Sequence, residues 1–177
     1  MESAKQIIIS GIPGSGKTTL CQHIIQLGNQ TGKEFKGLIS PAVLIENVKI
    51  GIDVIDLSNG KRFRLADLSK NAPSELMTKR WAFNKEAVVR GNDILIRSVP
   101  CDYLMIDELG PLEFKRNEGW INGLTAVDQG EYLSAIVVIR PGLLTFAQKR
   151  WENPLIINIH KPDQASAIAE KIIELLD

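Results

Sequence analysis

Apolar positions gather in short runs, and amphipathic segments separate most of the runs from one another. Gln6 to Ser10, Phe35 to Ser40, Tyr103 to Asp107, Leu133 to Arg140 and Leu155 to Ile159 read as strands, several of them apolar at consecutive positions. A strand that is apolar on both faces must be covered on both, as in a parallel sheet held between helical layers. Between these runs the spacing becomes helical. Leu20, Ile24 and Leu27 recur at i, i+4 and i+7, as do Trp120, Leu124 and Val127, and Ile168, Ile172 and Leu175. Such stripes are core faces, Trp120 included. Asn84 stands where an N-cap would, so a helix is expected from Lys85 to about Arg97. The alternation predicts an α/β fold with a mainly parallel central sheet.

One region departs from it. Lys49 to Leu57 places Ile50, Ile52 and Val54 on one face, Ser58-Asn59-Gly60 reads as a turn, and Lys61 to Ala66 reads as a second strand. Asn-Gly between two such runs signals a hairpin, here an antiparallel addition at a sheet edge. Leu68 to Glu75 reads as a loop, and Lys79 to Phe83 as a further strand. With 177 residues and 44% hydrophobic content, one domain over residues 1–177 is expected. The 21 basic and 21 acidic residues balance, so there is no nucleic-acid signature and the partner is a small ligand. No apolar run reaches membrane-spanning length and no leader-like segment follows Met1, which gives the expectation of a cytoplasmic protein without membrane attachment. Cys21 and Cys101, with two histidines, form no metal or redox spacing.

The candidate chemistry lies directly after the first strand. Gly11-Ile12-Pro13-Gly14-Ser15-Gly16-Lys17-Thr18 matches the phosphate-binding P-loop in its required setting, strand before and helix after. Glycines let successive backbone N–H groups curl around a polyphosphate, and the helix N-terminus adds its positive dipole end. Lys17 would contact the β- and γ-phosphates, and the Thr18 hydroxyl would bind Mg²⁺.

The run Tyr103-Leu104-Met105-Ile106 delivers Asp107-Glu108 to the carboxyl edge of the sheet, where ligands bind in open α/β folds. Asp107 would hold Mg²⁺, mainly through water or through Thr18, because that ion keeps most of its hydration. Glu108 is the expected base, aligning a water with the γ-phosphorus.

Gly11 to Thr19, the segment Gly37-Leu38-Ile39-Ser40-Pro41 with its hairpin, and Asp107-Glu108-Leu109-Gly110-Pro111-Leu112-Glu113 together resemble the nucleoside-triphosphatases of the THEP1 type. The similarity spans most of the chain. It implies a three-layer, RecA-like P-loop NTPase fold and slow, Mg²⁺-dependent hydrolysis of ATP, GTP and other nucleoside triphosphates to diphosphate and phosphate. By position it implies nucleotide binding from Gly11 through Thr19, phosphate contact by Lys17, metal contact by Thr18 and Asp107, and water activation by Glu108. Many relatives read Thr-x-Glu-Val where this chain has Ser40 to Val43, so Pro41-Ala42 removes an acidic residue there. From Pro141 onward the likeness is confined to the αβ pattern.

Smaller features are weighed against plain structural roles. Lys161-Pro162-Asp163 resembles the guanine-reading loop of GTP-binding switches, but His160 stands where the asparagine belongs. Arg80, Arg90, Arg116 and Arg140 are candidates to neutralise transition-state charge, and none is singled out by spacing. Trp81 and Phe83 could stack a base, although core packing explains them more simply. Two alternatives to a hydrolase stay open at this stage. One is a small-molecule or nucleotide kinase, for which Lys61-Arg62-Phe63-Arg64 is the single lid-like cluster. The other is a nucleotide-dependent interaction module whose slow hydrolysis times partner binding.

Overall fold

The computed structural model describes residues 6–69, 77 and 80–176. Its elements are β1 (Gln6–Ser10), α1 (Lys17–Gln30), β2 (Phe35–Ile39), β3 (Ala42–Ile45), β4 (Val48–Asp56), β5 (Arg62–Leu68), β6 (Trp81–Phe83), α2 (Lys85–Arg97), β7 (Cys101–Leu109), α3 (Ile121–Gln129), β8 (Tyr132–Ile139), α4 (Leu144–Arg150), β9 (Leu155–Asn158) and α5 (Ala165–Leu175). Most of the expected loop Leu68 to Glu75, and Lys79 at the start of the expected strand, lie outside the described residues.

The nine strands found among the described residues share one sheet, in the order β6-β5-β4-β2-β7-β8-β1-β9, with β3 also paired to β4. From β2 to β9 every neighbour is parallel. The consecutive isoleucines of β1 explain the layering. Ile7 and Ile9 pack with Leu20, Ile24 and Ile172 of α1 and α5. Ile8, one residue out of phase, packs with Ile94, Leu124 and Ala147 of α2, α3 and α4. Period-two alternation thus feeds two cores, one on each face.

Beyond β2 the sheet turns antiparallel through β4, β5 and β6. The hairpin expected from Ser58-Asn59-Gly60 is present, its turn held by Asp56, which accepts the Ser58 N–H at 2.9 Å and the Asn59 side-chain amide at 2.7 Å. The addition is larger than expected, because Ala42–Ile45 forms β3 against β4. The intervening turn uses Glu46 (φ 47°) and Asn47 (φ 63°), a two-residue reversal with positive φ at both positions that contains no glycine to announce it. Asn84 caps α2 as expected, accepting the Ala87 N–H at 3.0 Å.

One close approach lets β2 lie on β7. Gly37 pairs with Met105 at φ +111°, and a Cβ there would sit 2.0 Å from the Met105 carbonyl oxygen. Gly37→Ala is therefore expected to destabilise the protein by roughly 2–4 kcal/mol, from positive-φ strain and overpacking. Urea unfolding measures this, and a loss below about 0.5 kcal/mol would contradict the close packing.

Candidate active site

The carboxyl ends of β1, β2, β7, β8 and β9 lie along one edge of the sheet. β1 ends at Ser10, and residues 11–16 lead into α1. Gly16 occupies the N-cap at φ +96°, and a Cβ there would lie 2.7 Å from Pro162 Cα, so neither conformation nor space admits a side chain. No side chain caps α1 among the described residues, which leaves its first N–H groups facing outward for an anion. Lys17 is nearly buried and folds back on the loop, donating from Nζ to the Gly11 carbonyl at 2.7 Å and the Ile12 carbonyl at 2.9 Å. Burial lowers its pKa, while Glu108 and Asp107 pull the other way.

Asp107 is 2% exposed. Its carboxylate accepts the Ser40 backbone N–H at 3.2 Å; that bond and the nearby Thr18 hydroxyl offset only part of the burial that pushes its pKa up to about 6. The ends of β7, β2 and α1 therefore meet on one acid. The Ser40 contribution is a main-chain donor, available whatever side chains follow, so Pro41-Ala42 leaves it intact. A buried carboxylate beside a hydroxyl is a donor set that would suit Mg²⁺, which takes few protein ligands. No cluster of three or more metal-ligating side chains occurs among the described residues.

Glu108, one residue on, is more open, with its side chain 26% exposed, and accepts a hydrogen bond from Arg140 Nε. The four candidate arginines are now separated by geometry. Arg116 donates to the Met77 carbonyl at 2.9 Å and pairs with Glu118. Arg90 lies over the Phe63 ring, and Arg80 over Trp81. Arg140 alone of the four makes an ion pair with Glu108. The lid-like arginines are tied down on the antiparallel wing: Arg62 and Arg64 both bind Asp53 at 2.6 Å, and Arg64 also pairs with Asp67.

Three contributors escaped the sequence reading. Ser40 acts through its amide, which no side-chain pattern reports. Lys49 on β4 is half-buried, its pKa lowered chiefly by burial while Glu108 and Asp107 oppose the shift, so the antiparallel wing adds a cation to this end of the sheet. Glu113 sits in a π-type turn, Leu112–Arg116, where its buried carboxylate accepts the Gly110 N–H and the Trp120 N–H, both at 2.7 Å. That anchors the loop that follows Glu108, and burial raises the Glu113 pKa against those two donors.

Other features settle into plainer roles. The Lys161-Pro162-Asp163 loop is brought against the P-loop, through Pro162 on Gly16 and the Ile159 N–H on the Ser10 carbonyl at 2.8 Å. Trp120 is buried in the core formed by α2 and α3. Trp81 is buried with Lys49 5.1 Å from its ring centroid. Cys21 is fully buried in the α1 core and its thiol is pushed well up by that burial; Cys101 is pushed up to about 11 by the same cause. Neither is a thiolate nucleophile near neutral pH. No helix among the described residues is long and apolar enough to cross a membrane.

Comparison with known proteins bears on the family and the fold. The family model described as NTPase matches residues 6–139. The nucleoside-triphosphatase THEP1 of Pyrobaculum aerophilum is 39% identical over 110 residues, 62% of this chain and 60% of that protein. The chain thus spans about three fifths of the length of that curated relative. The protein of the same name from Methanothermobacter thermautotrophicus is 26% identical over 173 residues, covering 97% of this chain and 95% of its own. The crystal structure of THEP1 from Aquifex aeolicus superposes with a TM-score of 0.70 over 97% of this chain and 99% of that one, at 20% identity, a likeness of fold. On the match that runs from β1 through the last residue of β8, and so takes in the P-loop, Asp107 and Glu108, this chain belongs to the NTPase family.

Proposed function

We propose that the chain is a Mg²⁺-dependent nucleoside-triphosphatase that hydrolyses ATP, GTP and other nucleoside triphosphates to the diphosphate and phosphate. The observation that carries this reading is the junction at Asp107, where the acid of β7 accepts the Ser40 N–H and lies beside the Thr18 hydroxyl of the P-loop helix while Glu108 next to it stays partly open. The N–H groups from Gly11 to Thr19 hold the phosphates, and Lys17 exchanges its two loop carbonyls for β- and γ-phosphate oxygens. Thr18 and Asp107 hold Mg²⁺. When bound, that ion neutralises charge on the β- and γ-phosphate oxygens.

Glu108 orients a water toward the γ-phosphorus and takes its proton. A bond forms between the water oxygen and γ-phosphorus, and the bond from γ-phosphorus to the β–γ bridging oxygen breaks. The diphosphate leaves with the electron pair. Water rather than a second substrate is favoured as acceptor because Arg62 and Arg64 are engaged by Asp53 and Asp67 on the wing. The loop around Pro162, packed on Gly16, is positioned to border the base.

Phosphate release from ATP, GTP, CTP and UTP is expected for the wild type, abolished by a chelator. Lys17→Ala and Glu108→Gln are each expected to lower kcat by about 100-fold or more, with Glu108→Gln still binding nucleotide. A Glu108→Gln variant with unchanged kcat would remove Glu108 from the role of base.

A second expectation concerns the metal-free protein. The folded-state pKa of Asp107, about 6 against an ordinary value of 3.8, means that the native state binds the proton more tightly than the unfolded chain does. Its contribution to stability is therefore lost as pH rises from about 4 to about 6. In chelator, Asp107→Asn is expected to melt no lower than wild type at about pH 8, with any gain shrinking toward pH 4. A loss exceeding about 1 kcal/mol at pH 8 would show that the ionised carboxylate is a net stabiliser.

A further inference from the structure

β8 lies between β7 and β1 in the sheet, so its tip stands between Glu108 and the P-loop. Arg140 is the first residue past that tip. Its main chain is fixed there, since the Leu143 N–H donates to the Arg140 carbonyl at 2.9 Å, Pro141 opens the turn and Leu143 is buried. The guanidinium is not buried. It is 47% exposed and binds Glu108 through Nε, and among the described residues its two Nη groups have no protein acceptor. Arg140 also opposes the charged form of Lys17, which puts the two cations in one electrostatic neighbourhood.

Both cations are thus satisfied by internal acceptors, Lys17 by loop carbonyls and Arg140 by the carboxylate of the residue assigned to activate water. A half-exposed ion pair contributes little to stability, so breaking it costs little. A triphosphate offers a denser charge and a geometry that a guanidinium fork binds at two points. We propose that Arg140 is a catalytic arginine supplied by the chain itself. It neutralises Glu108 in the nucleotide-free protein, moves its donors to a γ-phosphoryl oxygen when triphosphate binds, and so releases Glu108 to accept the proton of the attacking water. This rests on the reading of Glu108 as base. It adds that the base is masked until substrate arrives.

The test is steady-state hydrolysis of Mg²⁺–ATP by Arg140→Ala and Arg140→Lys, with binding of a fluorescent ATP analogue measured in parallel and folding checked by thermal unfolding. Arg140→Ala is expected to lose about 10³-fold in kcat, the lower range for an arginine of this kind, with a smaller loss of nucleotide affinity, no more than about tenfold. Millimolar guanidinium is expected to restore part of the loss in Arg140→Ala and none in Glu108→Gln. Arg140→Lys, which keeps the charge and loses the fork, is expected to recover only a small part. A kcat within about threefold of wild type in both variants would overturn the proposal while leaving hydrolysis standing, as would a loss confined to nucleotide affinity. A wild-type protein that binds the analogue but releases no phosphate would instead remove the hydrolase reading itself.

Discussion

Asp107 accepts the Ser40 amide and lies beside the Thr18 hydroxyl in a place that water barely reaches, so the ends of β7, β2 and α1 come together on one acid. A carboxylate placed there is costly unless it is hydrogen-bonded. The donors it has are too few to cancel the desolvation, which is why its pKa stays high. The approach of β2 to β7 at Gly37 and Met105 brings Ser40 within reach. The passage from β1 through Gly16 into α1 does the same for Thr18. Packing of the sheet therefore imposes an under-compensated negative charge beside the phosphate loop, a condition that a cation relieves.

The cations around it are arranged with matching economy. Lys17 rests on two loop carbonyls and Arg140 on Glu108, while Lys49 arrives from the antiparallel wing and feels both acids. The pair at Arg140 is open to solvent. Glu113 supplies the rigid counterpart. By holding Gly110 and Trp120 it fixes the backbone that follows Glu108.

Much of this was legible in the sequence, where local chemistry decides the outcome. The isoleucines of β1 required covering on both faces, Asn84 started α2 where a cap was expected, and the glycines before Lys17 required a phosphate-binding loop. β3 escaped notice because Glu46-Asn47 makes a tight reversal without glycine. The Ser40 amide and Lys49 escaped because their roles arise only when strands distant in the chain pair side by side. Arg140 was, with Arg116, one of the two foremost of four candidates until the order β7-β8-β1 put it beside Glu108. Glu113 was visible as part of a motif, yet its work is done on N–H groups three residues before it and seven after.

The central claim is that the phosphate loop and Asp107-Glu108 make one site in which water attacks the γ-phosphorus. The most direct measurement is hydrolysis of ATP in ¹⁸O-labelled water, followed by mass spectrometry of both products. The account predicts one solvent oxygen in the phosphate released at each turnover and none in the diphosphate. Label in the diphosphate, or a phosphoryl group recovered on another acceptor, would contradict it.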